Sequence, residues 1–292
     1  LDATGNYTLT QGNINAIGAG SYDAGGDVTL AVVPGTFDCS DVGANSVQLT
    51  VTDESGNTAT CNATVTVRDL TPPTAVCANI NVNLDVLGNA TILASDLNAG
   101  SSDACGIAGF SASQTVFDCT DVGANTVTLT VTDNNGNTST CTATVTVYDN
   151  ISPNAVCNPL TISLDGTGNW TLTGPDIAAI SLGSTDNCAS VLNRTVTPNT
   201  FDCTDIGANL VTLRVTDPNG NFDECQTTLT VVDDLDPVAA CKNITVQLDA
   251  SGNATIVAAD VDNGSSDNCD ATPTLSIDKS SFTCANIGAN SV

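Results

Sequence analysis

The sequence contains no histidine and no methionine, one tryptophan, and only five Lys and Arg against 32 Asp and Glu. Each shortage closes a class of function. Without His there is no Ser-His or Cys-His pair to supply a nucleophile at neutral pH, and no imidazole to complete a zinc site. A formal net charge of −27 repels nucleic acid and anionic lipid headgroups, so neither is expected as a partner. No apolar run approaches the ~18 residues of a membrane helix and no signal peptide opens the chain. The sequence is therefore expected to be an internal piece of something longer, with no membrane span. Aromatics are 3 % of residues, so any core must be built from Val, Leu, Ile and Ala.

What is present points to an exported, folded protein. Apolar residues make up 41 % of the 292, enough for packed cores, and the length calls for more than one of them. The 13 Cys form no C-x-x-C pair, so disulfides are expected and with them an extracellular, cell-surface location. Thr, Asn, Gly and Val dominate, a strand-and-turn composition.

Self-comparison reveals the organisation. The turn Leu-Asp-x-x-Gly-Asn begins at Leu1, Leu84, Leu164 and Leu248. Phe-x-Cys recurs at Phe37, Phe117, Phe201 and Phe282, each time followed by Gly-Ala-Asn at Gly43, Gly123, Gly207 and Gly288. Four of the six Phe thus hold one repeat position, as a core anchor would. An Asp after Ser, Thr or Tyr recurs between these marks, at Asp23, Asp103, Asp186 and Asp267. The chain holds about three and a half copies of a unit of roughly 80 residues.

Within the unit, Val127, Leu129 and Val131 alternate with Thr. A turn follows at Asp133-Asn134-Asn135-Gly136-Asn137, and Cys141, Ala143, Val145 and Val147 then alternate with Thr again. Period-two alternation around an Asn/Gly turn predicts a hairpin with one apolar face. Equivalent hairpins are predicted at 47–67 and 210–232. A second hairpin is expected around Leu84–Asn89, with Ile80, Val82 and Leu84 on one face. No helical period is found. About seven short strands per unit, each sheet packing on one side, predict an all-β fold of tandem immunoglobulin-like β-sandwich domains.

Prolines after the last strand (Pro72-Pro73, Pro153, Pro237) mark boundaries. The expected domains are 1–69 (first strand missing), 70–149, 150–233 and 234–292 (last strands missing). The last-strand Cys and the next unit's first Cys are 16 residues apart at all three junctions (61 to 77, 141 to 157, 225 to 241). Constant spacing predicts a fixed geometry between neighbouring repeats, hence a rod-like array that gains roughly 35–45 Å per domain.

Four Cys in a unit allow three pairings. Cys141 lies opposite Leu129 in the predicted hairpin, ten residues from Cys119, too far for a bridge on a straight strand. The preferred pairing is Cys77–Cys141 with Cys105–Cys119, likewise Cys157–Cys225 with Cys188–Cys203, and Cys269–Cys284. Gly25 stands where other units have Cys and leaves Cys39 without a mate, so 39–61 stays open, and its 22-residue spacing recurs at 119–141 and 203–225. Cys39, Cys61 and Cys241 are expected to be unpaired here, with partners for Cys61 and Cys241 beyond the two ends. Cys77 has the wrong parity relative to Ile80, Val82 and Leu84, which requires a bend near Asn79.

The run Pro-x-x-x-x-Cys-x-Asn-Ile, Ser-Ser-Asp-Asn-Cys, Gly-Ala-Asn-x-Val-x-Leu-x-Val-Thr-Asp-x-x-Gly-Asn and Cys-x-Ala-Thr-Val-x-Val resembles HYR-like (hyalin-repeat-like) immunoglobulin-type domains. It is similar in particular to the arrays in giant cell-surface proteins of Bacteroidetes, including SprB-type gliding adhesins exported by type IX secretion. The resemblance implies a bridge from an early Cys to one in the last strand, as in 77–141. Cys105 and Cys119 have no counterpart in that simpler pattern, which suggests that they were added as a pair.

Candidate chemistry is confined to carboxylates. Each Asp recurs once per repeat, whereas an enzyme needs one shaped cleft, so no catalysis is expected. Calcium is the cofactor that such hard oxygens suit. Its candidate ligands are the junction acids Asp69, Asp149, Asp233 and Asp234 and the loop acids Asp96, Asp103, Asp176, Asp186, Asp260 and Asp267. Asp53, Asp133 and Asp217 are better read as partners of hairpin-turn amides. Trp170 and Tyr7 share one repeat position, with a packing role expected.

The function expected is a non-catalytic stalk of a large bacterial surface adhesin, giving length, stiffness and protease resistance, with neighbouring repeats as its partners. The alternatives are a self-assembling filament or surface layer built from copies of the chain, and a repetitive ligand- or carbohydrate-binding array. The shortage of aromatics speaks against the last.

Overall fold

Alternation of Val and Thr determines the largest elements. In chain order the first unit holds β1 (Tyr7–Thr8), α1 (Gln11–Ile17), β2 (Thr29–Val33), β3 (Thr36–Phe37), β4 (Gly43–Thr52), β5 (Thr58–Val67), β6 (Ile80–Asn83), β7 (Asn89–Thr91), β8 (Ile107–Ala112), β9 (Val116–Asp118), β10 (Gly123–Asp133) and β11 (Thr138–Tyr148). The second holds β12 (Leu160–Ser163), β13 (Asn169–Thr171), α2 (Gly174–Ile180), β14 (Asn193–Thr197), β15 (Thr200–Asp202), β16 (Gly207–Thr216), β17 (Phe222–Val232), β18 (Asn253–Thr255), α3 (Ala258–Val261) and β19 (Ser281–Thr283). This computed structural model describes residues 1–292. They divide into two units, Leu1–Asn150 and Ile151–Val292, described separately below.

In the first unit β10 and β11 form the predicted hairpin, with Leu129 opposite Cys141. Val127, Leu129, Val131, Val145 and Val147 are buried while the alternating Thr face outward, so the sheet packs on one face. β8 pairs antiparallel with β10, and β6 runs parallel to β11, giving the order β6-β11-β10-β8. The two-stranded sheet β7-β9 carries Phe117, which is buried. The first copy repeats the plan with β2-β4-β5 and β1-β3.

The second unit repeats it as β12-β17-β16-β14 and β13-β15. There the two layers share one cluster: Phe201 and Leu172 from the small sheet side pack with Val211, Leu213, Val215, Leu229 and Val231 of the large sheet. This is the all-β, immunoglobulin-like sandwich, and its centre is aliphatic around one Phe. Phe37, Phe117, Phe201 and Phe282 are all buried. Each lies opposite the residue that follows a Gly-Asn turn: Tyr7, Ala90, Trp170 and Ala254. Trp170 packs against the core and Tyr7 is exposed, its hydroxyl donating to Asn13 Oδ1.

Two expectations fail. The turn at Leu84–Asn89 does not close a hairpin, because β6 joins the large sheet and β7 the small one. Asp85 still organises that turn, its Oδ1 accepting from the amides of Leu87 and Asn89, but the chain crosses between layers there. Short helices also exist. α1 and α2 have seven residues each, below the length at which a period of 3.6 can be read. They are held by side-chain caps, such as Asn13 Oδ1 accepting from the Thr10 amide.

Asn79, where the sequence predicts a bend, makes a side-chain bond to the neighbouring strand. Asn79 Oδ1 accepts from the Thr144 amide, so the side chain replaces a ladder bond and β6 starts one residue later, at Ile80 opposite Val145. The Gly-Ala-Asn tripeptide is explained similarly. The Asn45, Asn125, Asn209 and Asn290 amides donate back to the carbonyls of Asp41, Asp121, Asp205 and Asn286, fastening the 3₁₀ turn after Phe-x-Cys to the next strand. Residues 234–292 lack a hairpin like β10–β11. Accordingly Ile244 and Val246, equivalents of Ile80 and Val82, are exposed beside an open groove at Phe282.

Candidate functional site: the junction between repeats

The cysteines revise the picture of how repeats are joined. Cys77–Cys141 and Cys157–Cys225 tie the start of a repeat to its last strand, with Cα–Cα distances of 5.9 Å in both. The mid-repeat cysteines do not pair within their repeat. Cys105 bonds Cys39 of the preceding copy, and Cys269 bonds Cys203 of the preceding copy. The expected pairs 105–119, 188–203 and 269–284 therefore do not form. Cys119 and Cys188 are disulfide-bonded, Cys39 is bonded rather than free, and Cys61, Cys241 and Cys284 are free and exposed.

The physical reason lies in the turn Leu-Asp-x-x-Gly-Asn, which forms a seat for the bridge. Gly5 has φ +75°, and a Cβ there would lie 2.6 Å from Cys39 Sγ and 3.2 Å from Ala104 Cβ. Gly168, at φ +71°, would meet Cys203 Sγ at 2.6 Å and the Asn268 carbonyl at 2.8 Å. The 103–105 and 267–269 loops thus dock on the preceding repeat's turn, where only Gly permits the approach. Asn268 Nδ2 also donates to the Asp165 carbonyl in that turn, at 3.2 Å.

A carboxylate pair occupies the same junction in the first unit. Asp69 continues the inward parity of Ala63, Val65 and Val67, so it is 6 % exposed although charged. Its Oδ1 accepts from the Thr71 amide at 3.1 Å, and its Oδ2 is buried without a hydrogen-bond partner. Oxygens of Asp69 and Asp103 and the Cys105 sulfur lie within 4.8 Å of one another. The sulfur is committed to Cys39, which leaves the two carboxylates as donors. Asp103 is half-buried, and one of its oxygens accepts from the Cys105 amide at 2.8 Å.

The hairpin turn braces this pair. Asn137 Nδ2 donates to the carbonyls of Asp69 and Thr71 and to Asp133 Oδ2, while Asn134 Nδ2 donates to the Cys105 carbonyl. Asp133 is itself buried, and its Oδ1 accepts from the Asn135 and Asn137 amides. Burial would raise its carboxyl pKa, but the Asn137 side chain and the turn amides outweigh it and hold the pKa below the ordinary value. Asp53 and Asp217 bond their turns in the same way, so these three serve the turn, as the sequence indicated.

The other candidate acids separate by role. Asp96, Asp176 and Asp260 accept from the amides of Leu93, Thr173 and Val257, capping one-turn or two-turn helices. Trp170 Nε1 also donates to Asp176, at 3.2 Å. Asp149 is buried at the end of the first unit. Asp186 Oδ1 accepts from Cys188 and Ala189, while its Oδ2 is buried and unpartnered. Asp234 accepts from Ser163 Oγ. The amides of Asp270 and Cys269 hold the Asp267 pKa below its ordinary value. Asp233 Oδ1 accepts from Asn268 Nδ2 at 3.0 Å.

Sequence reasoning names Asp69 and Asp103 among its ten candidate ligands but misses that the Cys39–Cys105 bridge lies beside them. The signal was available. Cys39 lacked a mate in its own repeat, and 39–105 and 203–269 share a separation of 66 residues.

Comparison with known proteins places one copy of the repeat. Residues 68–147 match the HYR domain family. That stretch, HYR-like and immunoglobulin-type, contains Cys77–Cys141 and the β10–β11 hairpin. No curated protein matches the chain by sequence. Among solved structures, PcdhgB3 EC1-4 is similar at 15 % identity, with 74 % of this chain and 66 % of that chain covered and a TM-score of 0.33. The protocadherin GammaB4 extracellular domain gives 17 %, 82 %, 47 % and 0.32. Mouse clustered PcdhgC3 EC1-3 gives 12 %, 77 %, 92 % and 0.28. The match spans just under two thirds of the first of these and about half of the second. At such values the likeness carries no argument about this chain.

Proposed function

We propose that the chain is a non-catalytic, extracellular stalk segment of a large bacterial surface adhesin, with repeats at 1–69, 70–149, 150–233 and 234–292 linked end to end. The observation that carries this reading is the bridging of successive repeats by Cys39–Cys105 and Cys203–Cys269. A binding or catalytic module has no need of a covalent staple to its neighbour, whereas a stalk under tension does. The HYR-like stretch at 68–147 supports an adhesion-type extracellular role, and oxidised cysteines suit an oxidising compartment. The similarity of the repeat motifs to SprB-type arrays supports the bacterial gliding-adhesin setting and export by type IX secretion. Calcium is the proposed cofactor, held by acids at the junctions.

The test is the shape and oligomeric state of the oxidised chain by small-angle scattering with light scattering. A monomer whose maximum dimension is roughly that of end-to-end sandwiches at 35–45 Å each supports the stalk. Concentration-dependent association into larger species in calcium would replace it with a filament, and a compact monomer would remove the extended array.

A further inference from the structure

Two of the junctions are built from the same residues and differ in one that decides their chemistry. At 103–105 the loop reads Asp-Ala-Cys, and at 267–269 it reads Asp-Asn-Cys. In the second unit Asn268 reaches across to the preceding repeat's junction acid, its Nδ2 donating to Asp233 Oδ1 at 3.0 Å. The same amide hydrogens reach the Asp165 carbonyl, which fixes the orientation of the side chain. In the first unit Ala104 has nothing to donate. Asp69, the counterpart of Asp233, is left with a buried Oδ2 that no protein group satisfies, beside the Asp103 carboxylate.

We propose that a hard divalent cation, calcium under extracellular conditions, binds between Asp69 and Asp103, beside Ala104, at whose counterpart Asn268 presents an amide to the Asp233 carboxylate instead. The inference sharpens the calcium reading above to one site and rests on it only for the class of ion. A buried carboxylate oxygen is expensive without a donor or a cation. Two carboxylates this close repel unless a positive charge lies between them. No Lys or Arg is paired with either group; the salt bridge observed, Arg214–Glu224, involves neither. Oxygen donors without nitrogen or free thiolate select calcium or magnesium over zinc or copper. Asp103 is half-buried, which leaves the pair accessible from solvent. With only two carboxylates from the protein, the dissociation constant belongs in the range of about 10⁻⁴–10⁻³ M seen for extracellular calcium modules.

The cation would sit under the Cys39–Cys105 bridge and join the end of one repeat to a loop of the next. It therefore adds a second, reversible tie where a covalent one already exists.

The experiment counts calcium bound by the full oxidised chain in equilibrium dialysis with calcium chloride, and follows its melting with calcium or chelator. Asp69→Asn and Ala104→Asn should each bind one calcium fewer than the parent. Ala104→Asn is the decisive variant, because it grafts an arrangement the protein already uses at 268 on an exposed loop position. It should melt in chelator at the parent's temperature and show a smaller rise when calcium is added. If Ala104→Asn binds as many ions as the parent, or if the parent binds none, the inference falls. A parent that binds no calcium yet remains an extended monomer would remove this site while leaving the stalk reading intact.

Discussion

The junction bridge makes a prediction that fragment masses can settle. The chain has five tryptic sites, Arg68, Arg194, Arg214, Lys242 and Lys279, and so yields six peptides. Cys39–Cys105 joins peptide 1–68 to 69–194, Cys157–Cys225 joins 69–194 to 215–242, and Cys203–Cys269 joins 195–214 to 243–279. Exhaustive digestion of the denatured, unreduced chain should therefore give two bridged assemblies and a loose 280–292. Replacing Cys39 and Cys105 with Ala should release 1–68 and leave the second assembly unchanged. The same double variant should be less stable. The bridge closes a loop of 66 residues, for which chain entropy gives about 4 kcal/mol at 25 °C, or a melting decrease of roughly 10 °C for a unit of this size. Calorimetry of oxidised protein measures that decrease. Release of 1–68 from the parent chain would refute the junction bridge, and so would a peptide 280–292 that stays attached through Cys284.

The remaining predictions concern the seat, the core and the turns. Gly168→Ala forces a Cβ to within 2.8 Å of the Asn268 carbonyl at a φ that L residues avoid, and should cost about 1–3 kcal/mol in a urea titration. Phe201→Ala empties the centre of the second unit's cluster and should cost about 3–5 kcal/mol by the same measurement, whereas Phe222→Ala, at an exposed position, should cost far less. Acid should destabilise the protein through Asp133. Its folded pKa lies below the unfolded value near 3.8, so its stabilisation is present above that value and is lost as pH falls through the folded pKa. Melting temperature should accordingly be flat near neutrality and fall below about pH 4, and Asp133→Asn should shrink the fall.

The fold was readable because its signals are local. Val127, Leu129 and Val131 alternate with Thr over a stretch long enough to fix the hairpin, and a repeated Phe beside a repeated Cys fixes the core. Local signals failed where the partner lies in another layer or another repeat. Nothing in Leu84–Asn89 says that the strands on its two sides join different sheets, since the same Asp-x-x-Gly-Asn chemistry closes true hairpins at Asp133 and Asp217. Elimination among the four cysteines of one repeat pairs Cys105 with Cys119, because it leaves out partners in the neighbouring repeat. Gly25 carries the contrary information: a bridge that runs from Cys39 to the following repeat leaves Cys39 bonded even though position 25 has no sulfur. Asp69 is legible as an inward residue by parity, yet its orphaned oxygen and its approach to Asp103, 34 positions on in the sequence, appear only in the fold.

The two kinds of bridge gain their effect from overlapping. The loop closed by Cys39–Cys105 and the loop closed by Cys77–Cys141 share residues 77–105, so neither encloses the other. A cut at any one peptide bond between 39 and 141 therefore leaves a covalent path: before 77 it runs through Cys39–Cys105, after 105 through Cys77–Cys141, and between them through either. Cys157–Cys225 and Cys203–Cys269 give residues 157–269 the same property. Bridges confined to single repeats would leave every linker as a breaking point, including the exposed Arg68 just before the Pro72-Pro73 junction. Here a protease that clips Arg68 severs nothing. The expected result is that folded protein cut there keeps its full mass on a non-reducing gel and separates only with reductant, whereas the Cys105→Ala variant falls into two pieces at the same cut without it. The protection expected at this linker thus comes from covalent topology, distinct from the stability of any one sandwich.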